Sequence, residues 1–356
     1  MEQNRHISPA TMKDVADKAG VSTATVSRAL THPEKVSAAT RQKVEEAALT
    51  VGYAPNTLSR HVKRHESRTI LVVVPDICDP FFCDILRGIE ETAAERGYLV
   101  LIGDCAHQRQ NEKTFLDLII TRQIDGILLL GSQLPFDAGK EEQRSLPPMV
   151  MANEFSPELG LPTVHIDNLT AAFEAVSYLH HLGHQRIACI AGPERMLLSE
   201  YRLQGYIQAL RRCGLPVDNQ YIIRGDFDYE TGSRGLTRLM SHPTPPTAVF
   251  CHSDVIAMGA LSQARKMGLD IPRNLSLIGF DDIDQASYCF PPLTTVAQPR
   301  YEIGREATLL LLAQLLHHTV PNGSRLLSSE LVIRESTAAP GPRPAGFKSA
   351  DAGQIF

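Results

Sequence analysis

No stretch of this sequence approaches the roughly 20 apolar residues that a membrane-spanning helix needs, so no membrane association through such a helix is expected. The opening MEQNRHISPATMKDV carries no apolar run, and no signal peptide is expected there. Cysteine is sparse and unpatterned: seven residues, at 78, 83, 105, 189, 213, 251 and 289, sit among apolar neighbours with no CxxC spacing. An odd, scattered set argues for free thiols in a reducing compartment, hence a cytoplasmic location, rather than a disulfide framework. Neither GxGxxG nor GxxxxGK occurs, so the turn at Gly192 and Pro193 is not a phosphate loop. His180, His181 and His184 lie close together, but Gly183 ends the helix before the i, i+4 pair is complete, so no metal and no cofactor are expected.

What the chain does have is a charge asymmetry. Residues 1–67 hold ten Lys/Arg against seven Asp/Glu, so within a total of −5 the head is +3 and the body −8. A basic head on an acidic body allows one end to sit on phosphate without the whole surface adhering to it. At 356 residues with 43% hydrophobic content, the chain is long enough for two or three domains with sizeable cores.

The stretch TMKDVADKAGVSTATVSRAL (11–30) reads as two short helices around a tight turn. Met12, Val15, Ala16 and Ala19 form one apolar stripe, and Gly20 supplies the left-handed residue that ends the first helix. Val21 fills the gap, Ser22 caps the second helix, and Val26, Ala29 and Leu30 face inward. Thr23, Ala24, Ser27 and Arg28 are left on the open face, small enough to enter a major groove and touch base edges. Ser37 caps a third helix that runs to about Val51, with Val44, Ala47, Ala48 and Val51 inward and Gly52 closing it. A basic linker follows, YAPNTLSRHVKRHES (53–67), in which Asn56 can cap a short helix and Arg60, Lys63 and Arg64 can track a phosphate backbone.

The order MKDVAxxAGVSxxTVSRAL, then KVSxxTRxxV, then GYxPN resembles the amino-terminal signature of the LacI family of bacterial transcription repressors. The resemblance implies that Thr23, Ala24 and Arg28 read bases, that Ser22, Thr25 and the linker cations hold phosphates, and that the linker becomes a hinge helix on operator DNA. The family wedges a leucine from that hinge into the minor groove, and the matching residue here is Val62. A β-branched side chain is a poorer helix former and a smaller wedge, so a weakly ordering hinge and modest stand-alone operator affinity are expected.

From Arg68 apolar strands alternate with amphipathic helices. The strands read as 69–74, 98–102, 126–130, 149–152, 186–190, 247–251 and 275–279, and the helices as 82–97, 111–122, 169–182, 202–213, 229–241 and 255–267. This alternation predicts an α/β body of parallel sheets covered on both faces. With the resemblance it becomes a two-lobed, periplasmic-binding-protein-like core behind a small all-α helix-turn-helix domain. The expected boundaries are 1–52 for the DNA-binding domain, 53–67 for the hinge and 68–337 for the effector-binding and dimerisation core, with lobe crossovers near 164–169, 292–298 and 326–334. The Pro-, Gly- and Ala-rich residues 338–356 are expected to be a disordered tail. Lacking leucine heptads, that tail cannot build the tetramers some relatives form, which favours a homodimer.

Ligands of open α/β sheets bind beyond the carboxyl ends of the strands. The candidates there are Phe81 or Phe82, one of which could stack on a flat ring unless both belong to the core, then Asn153, Phe227, Asp254 and Asp281. Asp281 carries most weight, because its carboxylate can accept from the vicinal hydroxyls of a ribose, and the family's matching aspartate resembles an effector-hydroxyl ligand. Asp254 and Asp281 are explained by ribose binding without a nucleophile, and no enzymatic activity is expected. Met196 and Leu198 stand where relatives place polar effector ligands, which suits a base packed on apolar surface; Arg202 is expected to be structural or at the cleft edge. Further stretches, among them RTILVVVPDICDPFF, PPMVMANEF and TAVFCHSD, resemble one branch of the family. That likeness implies a pyrimidine nucleoside effector (cytidine), control of nucleoside uptake and breakdown genes, and joint action with the cyclic-AMP receptor protein. The alternatives are a family repressor with a purine or sugar effector and, more remotely, a binding protein without regulatory contact to DNA.

Overall fold

The computed structural model describes residues 10–53, 67–105, 112–134, 146–318, 320–321 and 323–341. The chain divides into two compact units between Ser67 and Arg68. The first is three helices, α1 (Met12–Ala19), α2 (Thr23–Thr31) and α3 (Ala38–Val51). Their starts are set by side chains that satisfy otherwise orphaned backbone donors. Thr11 and Asp14 form a reciprocal capping box, with the Thr11 amide donating to Asp14 Oδ2 at 2.7 Å. Ser22 and Ser37 accept from the amides of Thr25 and Thr40 at 3.2 and 3.3 Å. Gly20 and Gly52 end α1 and α3 at φ 67° and 68°. Val15, Ala16, Val26, Ala29, Val44, Ala47 and Ala48 make the small buried core, with Val21, Leu30, Val51 and Tyr53 packed around it.

The second unit holds two six-stranded sheets. Sheet one contains β1 (Thr69–Val74), β2 (Leu99–Asp104), β3 (Gly126–Leu129), β4 (Met149–Ala152), β5 (Thr163–Ile166) and β11 (Ser324–Leu327), in the order β11-β5-β4-β3-β1-β2. Sheet two contains β6 (Ile187–Ala191), β7 (Ile222–Arg224), β8 (Ala248–Cys251), β9 (Ser276–Asp281), β10 (Thr294–Ala297) and β12 (Glu330–Val332), in the order β12-β10-β9-β8-β6-β7. Runs such as AVFC and MVMA are buried at every position, as strands covered by helices on both faces require.

Helices α4 (Phe82–Glu95), α5 (Glu112–Ile120) and α11 (Arg300–Leu315) belong with sheet one. Helices α6 (Asn168–His181), α7 (Leu197–Arg212), α8 (Tyr229–Met240) and α9 (Asp254–Lys266) belong with sheet two, and α10 (Asp284–Tyr288) follows β9. The chain changes lobes at Asp167, at Gln298–Pro299 and at Ser328–Ser329. β5 and β10 both run towards the junction, so the carboxyl ends of the parallel strands in both sheets meet there.

Four expectations need correction. β12 is antiparallel to β10, pairing Thr295 with Val332, because β10 leaves lobe two at the junction and β12 re-enters from it. Helix α7 starts at Leu197, five residues earlier than 202, as Met196 is an extended N-cap. Helix α11 was absent from the pattern of amphipathic helices; with Ile303, Gly304, Ala307, Thr308, Leu311 and Leu312 all buried, it has no clean polar face. Lastly, the body does not stop at residue 337. The Ala338 carbonyl accepts from Ser276 Oγ at 3.1 Å and from His184 Nε2 at 2.9 Å, tying 338–341 to lobe two. Residues 342–356, the rest of the expected tail, lie outside the described residues.

Candidate functional site

On the head, α2 exposes Thr23, Ala24 and Arg28 side by side, while Thr25 and Ser27 are half-buried. Ser22 Oγ and Thr25 Oγ1 are 2.9 Å apart, and Ser22 also caps α2. One of these two hydroxyl hydrogens is therefore spent inside the pair, and one is left for a phosphate. The hinge residues Asn56, Arg60, Val62, Lys63 and Arg64 lie outside the described residues.

In the body, the junction between the strand ends is built around Arg202 of α7. Its side chain is 3% exposed, and its guanidinium lies 3.7 Å over the Phe280 ring and 3.7 Å from Asp281 Oδ1. Nε donates to Asn168 Oδ1 at 2.8 Å and Nη1 to the His252 carbonyl at 2.5 Å. Arg202 is thus the centre of the cluster rather than an edge residue. Its sequence signal was its place one helical turn after Leu198, on the same face of α7.

Asp281, the last residue of β9, has φ 115° and accepts from Gln298 Nε2 at 2.8 Å. Burial pushes its carboxyl up to about 7, with Arg202 opposing and Asp79 adding to the rise. From lobe one, Asn153 at the end of β4 has φ 70° and is buried, its backbone N–H donating to the Val164 carbonyl at 2.8 Å. Glu154, next to it, is 1% exposed, and neither carboxyl oxygen has a hydrogen-bond partner among the described residues. Burial pushes it up to about 7 although Arg202 pulls the other way. Gln298 Oε1 is likewise buried without a partner among the described residues. Sequence reasoning missed Glu154.

The other expected ligands are placed less favourably. Asp254 does not face the cleft: its oxygens accept from Thr295 Oγ1 at 2.6 Å and the Ile283 amide at 2.9 Å, so both are committed within lobe two. Burial and the Asp281 charge keep it well above the usual carboxylate range. Phe81 and Phe82 pack edge-on to one another at 5.1 Å and are 6% and 7% exposed in the main core, which makes them core residues in this conformation. Leu198 is buried, and Met196 is half-buried at the start of α7. The half-buried Phe227 ring lies on Gly192, where any Cβ would collide with it.

Beside the cluster, the Phe155 ring stacks on His165 at 4.8 Å and 19° and meets Tyr201 of α7 at 5.5 Å, an aromatic line across the junction. Arg300 also bridges the lobes, reaching Asp84 Oδ2 at 2.9 Å and the Asp282 carbonyl at 3.0 Å. His184 is bound to Thr247 Oγ1, Ser276 Oγ and the Ala338 carbonyl, so its ring holds lobe two together.

A two-lobed body with polar groups converging at the junction, preceded in the sequence by a helical head with an exposed α2, matches known families along its length. Residues 11–56 match the bacterial regulatory proteins of the lacI family, and residues 67–331 match the periplasmic binding proteins and sugar binding domain of that family. The chain belongs to the LacI family.

Within this family it is 69% identical over 339 residues to the HTH-type transcriptional repressor CytR of Escherichia coli strain K12, covering 95% of this chain and 99% of that protein. The ribose operon repressor of the same organism is 35% identical over 330 residues, 92% of this chain and 99% of that one. Among solved structures, the Lac repressor dimer bound to operator and the anti-inducer ONPF matches with a TM-score of 0.79 at 26% identity, over 93% of this chain and 100% of that one. A LacI family regulator from Enterococcus faecium with bound ribose matches with a TM-score of 0.68 at 27% identity, over 76% of this LacI-family chain and 99% of that one.

Proposed function

We propose that this LacI-family protein is a dimeric transcriptional repressor whose hold on operator DNA is relieved by a pyrimidine nucleoside, cytidine, and which acts beside the cyclic-AMP receptor protein on genes for nucleoside uptake and breakdown. The 69% identity to the CytR repressor over almost the whole of both chains carries the reading. Thr23, Ala24 and Arg28 are the base-reading set, and the linker cations with Ser22 or Thr25 are the phosphate set. The cleft chemistry supports a ribose-bearing effector. Asp281 can accept from vicinal hydroxyls while Gln298 and Arg202 hold it in place. The apolar Met196 and Leu198 suit a base better than a phosphate.

Asn153 and Glu154 come from lobe one, whereas Arg202 and Asp281 come from lobe two. A ligand that touches both sets favours one relative placement of the lobes. That differential binding shifts the equilibrium on which DNA or the partner protein depends, and by linkage the DNA-bound state weakens nucleoside binding by the same factor. A hydrolytic role for the two aspartates is not favoured, since both Asp254 oxygens are already engaged by Thr295 and the Ile283 backbone N–H within lobe two. Calorimetric titration with cytidine, uridine, adenosine, hypoxanthine and ribose tests the effector. Heat from cytidine with little from the purines and the free sugar supports it, and selective binding of hypoxanthine or ribose overturns it.

A further inference from the structure

Glu154 is the carboxyl group at the lobe junction with both oxygens buried and lacking a hydrogen-bond partner among the described residues. It is 1% exposed, yet neither oxygen makes a well-formed hydrogen bond among the described residues, the Phe155 backbone N–H lying only near enough to favour the charged form. A buried carboxyl without hydrogen bonds costs several times what a satisfied one does, so such groups mark sites completed by something else. Arg202 acts on Glu154 only through its charge, not as a close partner: it gives its Nε to Asn168 and Nη1 to the His252 carbonyl, and the carboxylate it lies beside is Asp281 at 3.7 Å. Hydroxyl recognition is already provided on the opposite lobe by Asp281 and Gln298. Glu154 instead sits at the end of β4, between Asn153 and the Phe155 ring that stacks on His165.

We propose that Glu154 is the specificity residue for the base of the effector, its carboxyl group pairing with the N3 and 4-amino edge of a cytosine-type ring. In the acid form the O–H donates to N3 while the other oxygen accepts from the amino group, so both vacant atoms are satisfied at once. A ribose hydroxyl, which turns to suit any partner, needs no such donor–acceptor pair. Burial favours this acid form, since it pushes the group up to about 7. The inference rests on the nucleoside reading above, and it adds the residue that tells one base from another.

The test sets three protein forms against three ligands, measured by calorimetry on the full chain. The ligands are cytidine, its analogue without the 4-amino group (the 2-pyrimidinone riboside), and 3-deazacytidine, which lacks the N3 acceptor. The unaltered protein is expected to bind both analogues about tenfold or more weakly than cytidine, the loss of one buried hydrogen bond with its partner left unsatisfied. Glu154→Leu is expected to bind cytidine and the 2-pyrimidinone riboside equally, and Glu154→Gln, whose amide offers the same donor and acceptor, to restore the preference. Equal binding of all three ligands by the unaltered protein overturns the inference without any variant having to fold. So does a Glu154→Leu protein that is weaker for every ligand by the same factor, the signature of a merely structural role. An unaltered protein that binds no pyrimidine nucleoside overturns the nucleoside reading itself, a result distinct from either of these.

Discussion

Replacing Arg202 by methionine removes the hub of the lobe junction while keeping an unbranched stem of similar reach. The substitution deletes donors to Asn168 Oδ1 at 2.8 Å and the His252 carbonyl at 2.5 Å, a cation 3.7 Å over Phe280, and the positive charge beside Asp281. Each buried acceptor left unpaired costs about 1–3 kcal/mol, and the lost cation–ring contact about 0.5–2 kcal/mol. Asp281 can relieve part of the remaining imbalance by taking up a proton, so the net loss is set at about 3–5 kcal/mol, the range for breaking a buried charged network. With a urea m-value of about 2–3 kcal/mol per molar for a unit of this size, the midpoint of the body should fall by about 1–2 M. Far-ultraviolet circular dichroism follows the transition, since the chain has no tryptophan to report on it. Cytidine affinity should fall with it by at least tenfold, because Asp281 loses the group that holds it. Arg202→Lys keeps the charge but not the planar fork, and should recover only part of the stability. A methionine variant with an unchanged midpoint and unchanged cytidine affinity would refute the placement of Arg202 at the centre of the site.

Three further outcomes are expected. Glu154 and Asp281 are both raised to about 7 in the folded state from 4.5 and 3.8, so between about pH 4 and 7 the folded chain binds more protons than the unfolded one. Stability contributed by these groups should therefore decline as pH rises through that window, by at most about 1.4 kcal/mol per pH unit for each group. The neighbours Arg202, Asp79, Asp254, His165, His252 and Arg300 must be held constant in the comparison, and Glu154→Gln should flatten part of the slope; urea midpoints at pH 5, 6, 7 and 8 read it. Arg28→Ala should abolish preference among DNA sequences while leaving cytidine affinity unchanged, measured by fluorescence anisotropy and calorimetry; loss of both would mean that the head and body are not separate functional units. Gly304→Ala should destabilise lobe one by about 1–3 kcal/mol, because its Cβ would press on the Ile85 carbonyl where α4 and α11 cross; denaturant unfolding that matches the unaltered chain would contradict that packing.

What was legible in the sequence is local. The head could be read helix by helix because Ser22, Ser37, Gly20 and Gly52 punctuate it at positions where only a few residue types satisfy the backbone. The β strands announced themselves as aliphatic runs, since strands buried on both faces tolerate little else. What stayed hidden depends on partners distant in the chain. Asp254 looks like a cleft carboxylate until Thr295, 41 residues on, and Ile283, 29 residues on, claim its two oxygens. Arg202 reads as one polar residue on a long helix, and only its meeting with Asn168, 34 residues earlier, and with His252 shows it to be the centre. Glu154 lies within the stretch PPMVMANEF, but nothing there marks it out from its neighbours; what sets it apart is the contacts it lacks, which no spacing can reveal. The direction of β12 follows from which way the chain re-enters lobe two, a property of the assembled junction.

The central claim, that a nucleoside in the cleft controls DNA occupancy, is tested most directly on DNA that the full-length chain itself enriches from a genomic pool. Occupancy of that DNA should be followed with increasing cytidine, alone and with the cyclic-AMP receptor protein bound alongside. Cytidine should lower occupancy in at least one of the two settings, and Asp281→Asn should blunt the response while leaving occupancy without cytidine unchanged. Occupancy that is indifferent to cytidine in both settings, at concentrations where calorimetry shows the cleft to be filled, would contradict the claim.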